Sequence, residues 1–180
     1  MGDRYVFDLD NTLVFTDELN SAAYNYALNR LGYPAITVNQ RITREVVCDA
    51  YPNLTTAEQN RLVGLKQNYF GENIYITVPN VELIKFLHTQ NPKHCLLWTS
   101  SDEKRARVLL PYYGLLNSFS YILYSSKSCI VDDVAKVCEV FRCESSQLVF
   151  FEDNTKIVEG LQLLKQRIYN IDVNEAISVL

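Results

Sequence analysis

The stretch RYVFDLDNTLVFTD, Arg4 to Asp17, passes from apolar and aromatic residues straight into two aspartates one residue apart. Tyr5, Val6 and Phe7 favour a buried strand, so Asp8 and Asp10 fall at the mouth of a core. Two carboxylates this close repel, and both ionise only where a cation or hydrogen-bond donors hold them. A turn or a helix cap is the competing reading, because aspartate readily bonds to nearby backbone. The choice between the two readings depends on what the rest of the chain brings to the same place.

Downstream, short apolar runs alternate with helical patterns, the signature of a parallel sheet with crossover helices. Strands are predicted over residues 5–7, 94–98, 121–124, 148–151 and 168–171. Their near-continuous apolar character suits strands covered on both faces. Helices are predicted over residues 81–89, 102–110, 131–141 and 155–165, and Ser100 with Glu103 has the spacing of a capping box. Between the first two strands the alternation lapses. Leu19, Ala22, Ala23, Tyr26 and Ala27 mark one face of a helix that Gly32 and Pro34 should end. Thr55 and Glu58 form a second capping box before Leu62, Leu65 and Tyr69. The expected architecture is α/β: a Rossmann-like parallel-sheet core of residues 1–15 and 78–180, with a small helical cap inserted as residues 16–77. The insertion is too long for an ordinary crossover.

Composition narrows the function. The 180 residues are 48% hydrophobic and 21% charged, ordinary for a folded domain, and suffice for one core with a modest insertion. A net charge of −4 without a basic run argues against nucleic acid or an anionic membrane as partner. No bilayer-length apolar segment or signal-peptide pattern occurs, so a cytoplasmic protein is expected. The five cysteines contain no Cys-x-x-Cys pair and read as isolated thiols. His88 and His94 flank Asn91-Pro92 and read as surface residues.

In a parallel sheet the ligand site lies beyond the carboxyl ends of the strands. The residues found there are Asp8 and Asp10, then Thr99 and Ser100, then Lys127, then Glu152 and Asp153. Carboxylates bind a hard cation such as Mg²⁺, while a lysine and a hydroxyl hold phosphate oxygens. Taken singly these residues are helix caps and solvated charges; taken together they point to a phosphate-handling site. A calcium loop beginning at Asp8 fails, because Leu13 stands where glycine is needed and Leu19 where glutamate is needed. No glycine-rich phosphate loop is present, since Gly64 and Lys66 lie in a helical pattern.

These residues resemble the haloacid dehalogenase-like superfamily of phosphatases and phosphotransferases. Asp8-Leu9-Asp10-Asn11-Thr12-Leu13 is similar to its first motif, Leu96 to Ser101 to its second, Lys127 to its third, and Phe150 to Asn154 to its fourth. The insertion resembles the helical cap of the branch with phosphoglycolate phosphatase and β-phosphoglucomutase. The resemblance implies Asp8 as nucleophile and Asp10 as general acid and base. It implies Mg²⁺ held by Asp8, Asp10 through its main-chain carbonyl, and Asp153, and a transferring phosphoryl group held by Thr99, Ser100 and Lys127. Glu152, Asn154 and Thr12 would support these groups. An aspartate at position 10 sets the chain apart from the dehalogenases, whose halide leaving group needs no acid. Three positions depart from many relatives: Phe15 replaces an acidic residue, Ser128 a proline and Ile157 a carboxylate.

The implied function is Mg²⁺-dependent hydrolysis of a small phosphorylated metabolite, such as a sugar phosphate, phosphoglycolate or a nucleotide, through an aspartyl-phosphate. The cap would present Phe15, Arg41, Arg44 and Lys66 as candidates for substrate selection. A phosphomutase using the same residues, and a binding protein that keeps the fold without turnover, are the alternatives.

Overall fold

A computed structural model describes residues 2–38 and 41–172. In chain order the elements begin with β1 (Arg4–Phe7), β2 (Val14–Phe15), α1 (Asp17–Arg30), α2 (Arg44–Ala50), α3 (Thr56–Glu72) and β3 (Val78–Pro79). They continue with α4 (Val81–Thr89), β4 (Cys95–Thr99), α5 (Glu103–Tyr112) and β5 (Tyr121–Tyr124). The last four are α6 (Ile130–Phe141), β6 (Leu148–Glu152), α7 (Thr155–Leu163) and β7 (Arg167–Asn170). The chain divides into two compact units, Met1–Phe15 with Pro79–Leu180, and Thr16–Val78.

In the first unit five parallel strands lie in the order β5-β4-β1-β6-β7. Side chains alternate between the faces. Val6, Leu96, Trp98, Leu148 and Phe150 pack with Val134 and Val137 of α6 and Leu161 of α7. On the other face Phe7 stacks on Phe151 at 4.7 Å, and Phe86 of α4 meets Phe151 at 5.5 Å. Every residue of β4 and β6 is buried, as two-sided cover requires. The edge strands β5 and β7 depart from that expectation and are largely exposed or half-buried, because each has a neighbour on one side only.

The register places the strand ends level. Phe7 pairs with Leu97 on one side and Phe151 on the other, while Thr99 pairs with Tyr124. The residues just beyond β1, β4, β5 and β6 therefore leave the sheet along one edge. After β1 the chain turns tightly: Leu13 and Val14 N–H both donate to the Leu9 carbonyl at 3.0 Å, and Asn11 adopts a positive φ of 61°. Asn80, the N-cap of α4, donates its side-chain amide to the Thr12 carbonyl at 3.0 Å and its backbone N–H to that of Leu13 at 2.9 Å. This turn carries Asp10.

The second unit is helical. Tyr24, Ala27 and Leu28 of α1 pack with Ile42, Val47, Leu54 and Leu62, and the amide of buried Asn20 donates to the Ile42 carbonyl at 2.7 Å. Thr55 and Glu58 make both bonds of the capping box at the start of α3. Helix α2 is not anticipated by periodicity, being only seven residues long; Thr43 caps it. No helix among the described residues is long and apolar enough to cross a membrane.

Candidate active site

Asp8 is the first residue beyond β1, at the centre of the sheet, and its N–H donates to the Phe151 carbonyl at 3.0 Å. That bond continues the β1–β6 ladder and directs the Asp8 carboxylate to the carboxyl edge. Lys127, beyond β5, reaches across to it: the ammonium donates to Asp8 Oδ1 at 2.7 Å and to Glu152 Oε2 at 2.5 Å. All three side chains are buried. The second Glu152 oxygen accepts the Asn154 N–H at 3.0 Å.

One ammonium shared by two buried carboxylates leaves each under-compensated. Burial, aided by repulsion from Glu152 and Asp10, raises the Asp8 carboxyl to about 7 against the opposing pull of Lys127. Burial likewise raises Glu152 despite Lys127. Burial alone would lower Lys127, but the two carboxylates outweigh it and hold the amine charged, above its ordinary value. A site in this state favours a further cation.

Asp8, Glu152 and Asp153 each offer a carboxylate oxygen within 4.8 Å of the others. Adjacent oxygens of an octahedral Mg²⁺ stand about 3 Å apart and opposed ones about 4.2 Å, so this hard oxygen set suits that ion once the carboxylates draw in around it. Asp153 is further held by the Thr12 hydroxyl, which donates to its Oδ1 at 3.3 Å. The cluster thus includes Glu152 directly, beside Lys127, where the family resemblance implied only a supporting place. The side chain of Asp10 points elsewhere. Its Oδ1 pairs with the Arg105 guanidinium and its Oδ2 accepts from the Ser101 hydroxyl.

Thr99 is buried at the end of β4 and its Oγ1 accepts the Ser101 N–H at 3.1 Å. Ser100 is exposed, and it is Ser101 that reaches Asp10. The expected capping box of Ser100 and Glu103 is replaced by Asp102, whose carboxylate accepts the Arg105 N–H at 2.9 Å. Asn154 caps α7 with its side chain, accepting from Lys156 and Ile157 N–H. Ile157 itself packs against the sheet core, so this position is apolar in surroundings as well as identity.

Lys127 is held in place by a network that its sequence neighbours do not announce. Its φ of 56° is left-handed, a strained state for lysine. Its N–H donates to Ser125 Oγ at 3.0 Å, Ser125 donates to Asp133 Oδ2 at 2.5 Å, and Trp98 Nε1 donates to the same oxygen at 3.1 Å. The ammonium lies 4.5 Å above the Trp98 ring centroid, a cation–π distance.

Phe15 is buried in β2. The other selection candidates have partners within the helical unit. Arg41 pairs with Asp17 at 3.1 Å, Arg44 donates to Gln59 at 3.3 Å, and Lys66 lies 4.5 Å over the Tyr24 ring. Tyr26 stacks on Tyr69 at 4.6 Å, as packing within the insertion predicts. The five cysteines are free thiols. Ser101, Arg105, Ser125 and Asp133 are not evident from sequence, because helix-start acids and a helical arginine ordinarily read as caps and solvated charges.

The level strand ends and the polar cluster beyond them define a Rossmann-like α/β protein with its site at the carboxyl edge of the sheet. The solved structures that match narrow this to the haloacid dehalogenase-like fold, which the chain has. A haloacid dehalogenase-like family hydrolase from Streptococcus pneumoniae is 19% identical, with a TM-score of 0.70 over 94% of this chain and 84% of its own. A predicted phosphoglycolate phosphatase from Haemophilus somnus is 19% identical, with a TM-score of 0.71 over 97% and 91%. A HAD-superfamily hydrolase of subfamily IA from Geobacter sulfurreducens is 16% identical, with a TM-score of 0.68 over 94% and 86%. No family model and no curated protein matches the sequence.

Proposed function

We propose that this protein is a Mg²⁺-dependent phosphatase that hydrolyses a small phosphorylated metabolite through an aspartyl-phosphate on Asp8. The observation that carries the reading is the buried Asp8 carboxylate, in contact with the Lys127 ammonium and clustered with Glu152 and Asp153. Asp8 attacks phosphorus, and the phosphoryl group passes to its carboxylate while the alcohol leaves. Lys127 and Thr99 face the phosphoryl oxygens, the lysine offsetting charge that develops on them. Asp10 gives a proton to the leaving oxygen and later takes one from the water that attacks the aspartyl-phosphate. Asp8, Glu152 and Asp153 would hold Mg²⁺, with the Asp10 main-chain carbonyl as a further oxygen. The bound ion supplies charge neutralisation between the carboxylates and the phosphate.

The test is phosphate release from p-nitrophenyl phosphate and from a panel of phosphorylated metabolites, with Mg²⁺ and with chelator. Activity is expected with Mg²⁺, lost with chelator and absent in Asp8→Asn. Full activity in Asp8→Asn would sink the assignment. A requirement for a bisphosphate activator would move it from hydrolysis to transfer between sugar hydroxyls.

A further inference from the structure

We infer that Arg105, acting with Ser101, is the positioning residue that aims the Asp10 carboxyl group at the leaving oxygen, an inference that rests on the phosphatase reading. Asp10 sits in the tight turn after β1, where the strand no longer fixes its direction. Both of its oxygens are held from the segment just beyond β4, Oδ1 by the Arg105 guanidinium and Oδ2 by the Ser101 hydroxyl. The Arg105 and Asp10 side chains are only 11% and 9% exposed. The holders are themselves fixed. Ser101 donates its N–H to Thr99 Oγ1 at 3.1 Å, and Arg105 donates its N–H to the capping carboxylate of Asp102 at 2.9 Å. A buried ion pair is weak as a stability device, since apolar replacements often do as well. Its presence beside a proposed proton donor needs a chemical reason.

The donor and acceptor inventory supplies one. A guanidinium has no acceptor and keeps its charge, so the Oδ1 paired with it disfavours a proton. A hydroxyl both donates and accepts, so the oxygen facing Ser101 is the one that can carry a proton. The clamp thereby assigns separate tasks to the two oxygens. When Asp8 bonds to phosphorus, the ester P–O bond breaks and its electron pair goes to the leaving oxygen. That oxygen takes the proton from Asp10 Oδ2. The carboxylate left behind already faces Arg105, whose charge compensates it.

The experiment measures kcat/KM for p-nitrophenyl, phenyl and ethyl phosphate with Mg²⁺ in the wild type, Arg105→Met, Arg105→Lys and Ser101→Ala. This parameter covers steps up to loss of the leaving group, so hydrolysis of the aspartyl-phosphate does not enter it. Positioned general acids contribute about 10²- to 10⁴-fold where the leaving group needs a proton. Arg105→Met is expected to lower the ethyl phosphate value by about 10²-fold and the p-nitrophenyl phosphate value by less than about fivefold. Arg105→Lys, which keeps the charge and loses the fork, should recover part of the loss. Ser101→Ala should show the same dependence on leaving group, and it and Arg105→Lys carry the test if Arg105→Met does not fold. Equal losses across the three esters, or faster turnover of ethyl phosphate, overturn the inference alone. No wild-type turnover of any ester overturns the phosphatase reading and the inference with it.

Discussion

The Lys127 ammonium lies 2.7 Å from Asp8 Oδ1, joining residues 119 positions apart, and the same nitrogen lies 2.5 Å from Glu152. Removing it leaves two buried carboxylates facing each other without a counter-charge. Lys127→Met should destabilise the fold by about 3–5 kcal/mol at neutral pH, the usual cost of breaking a buried ion pair. Denaturant unfolding in chelator measures this directly. Phosphate release should fall by about 10²-fold or more, because a charge-stabilising donor is lost as well.

Asp8 sets a pH dependence whose sign is opposite to that of most carboxylates. Its pKa in the folded chain is about 7, above the ordinary 3.8, so folding favours the protonated form. The resulting contribution to stability is complete below 3.8 and is lost as pH rises through about 7. In chelator, Asp8→Asn should therefore gain stability relative to the wild type across that window. The gap should level off above it. Parallel unfolding curves at several pH values test this, and a gap that does not change with pH would contradict it.

A divalent cation should reverse that trend by favouring ionised Asp8. Mg²⁺ at about a hundred times its dissociation constant stabilises a protein by about 2.7 kcal/mol through mass action. Thermal unfolding of the wild type should move upward with Mg²⁺. The same titration of Asp153→Asn should show a much smaller shift, since one of three clustered carboxylates has lost its charge.

Asp133 tests the network behind Lys127. Asp133→Ala removes the acceptor shared by Ser125 and Trp98 Nε1. The cost should be about 1–3 kcal/mol, as for buried donors left unpaired. Trp98 is the single tryptophan of the chain, so its emission should change with the loss of its hydrogen bond. Activity should fall along with it, because the backbone of Lys127 rests on Ser125.

Much of the fold is written in local pattern. Helix α4 begins and ends where the recurrence of Val81, Leu83, Ile84 and Leu87 places it, and the fully apolar β4 and β6 read as strands. The capping box of Thr55 and Glu58 is equally local and equally visible. Asp102 rather than Ser100 starts α5 because several residues there can serve as a cap, and sequence spacing alone does not choose among them. The approach of Asp8, Lys127, Glu152 and Asp153 is legible because parallel strands deliver the residues at their carboxyl ends to one edge. The contacts of Arg105 and Ser101 with Asp10 are not, since they depend on how α5 lies against the turn after β1. Nothing in residues 99–105 themselves distinguishes a clamp from a solvated helix start.

The level register of the strands also fixes when such a site can come into being. β1 precedes its neighbours in the sequence, yet it pairs with β4 on one side and β6 on the other. The bond between Thr12 and Asp153 closes a loop of 141 positions. Contacts of this sequence separation carry a large closure entropy and form slowly. The second edge of the central strand pairs with Leu148–Glu152, so Asp8 meets Glu152 and Asp153 only when that segment docks. Repulsion among these carboxylates therefore belongs to that docking, and not to the formation of β1 itself.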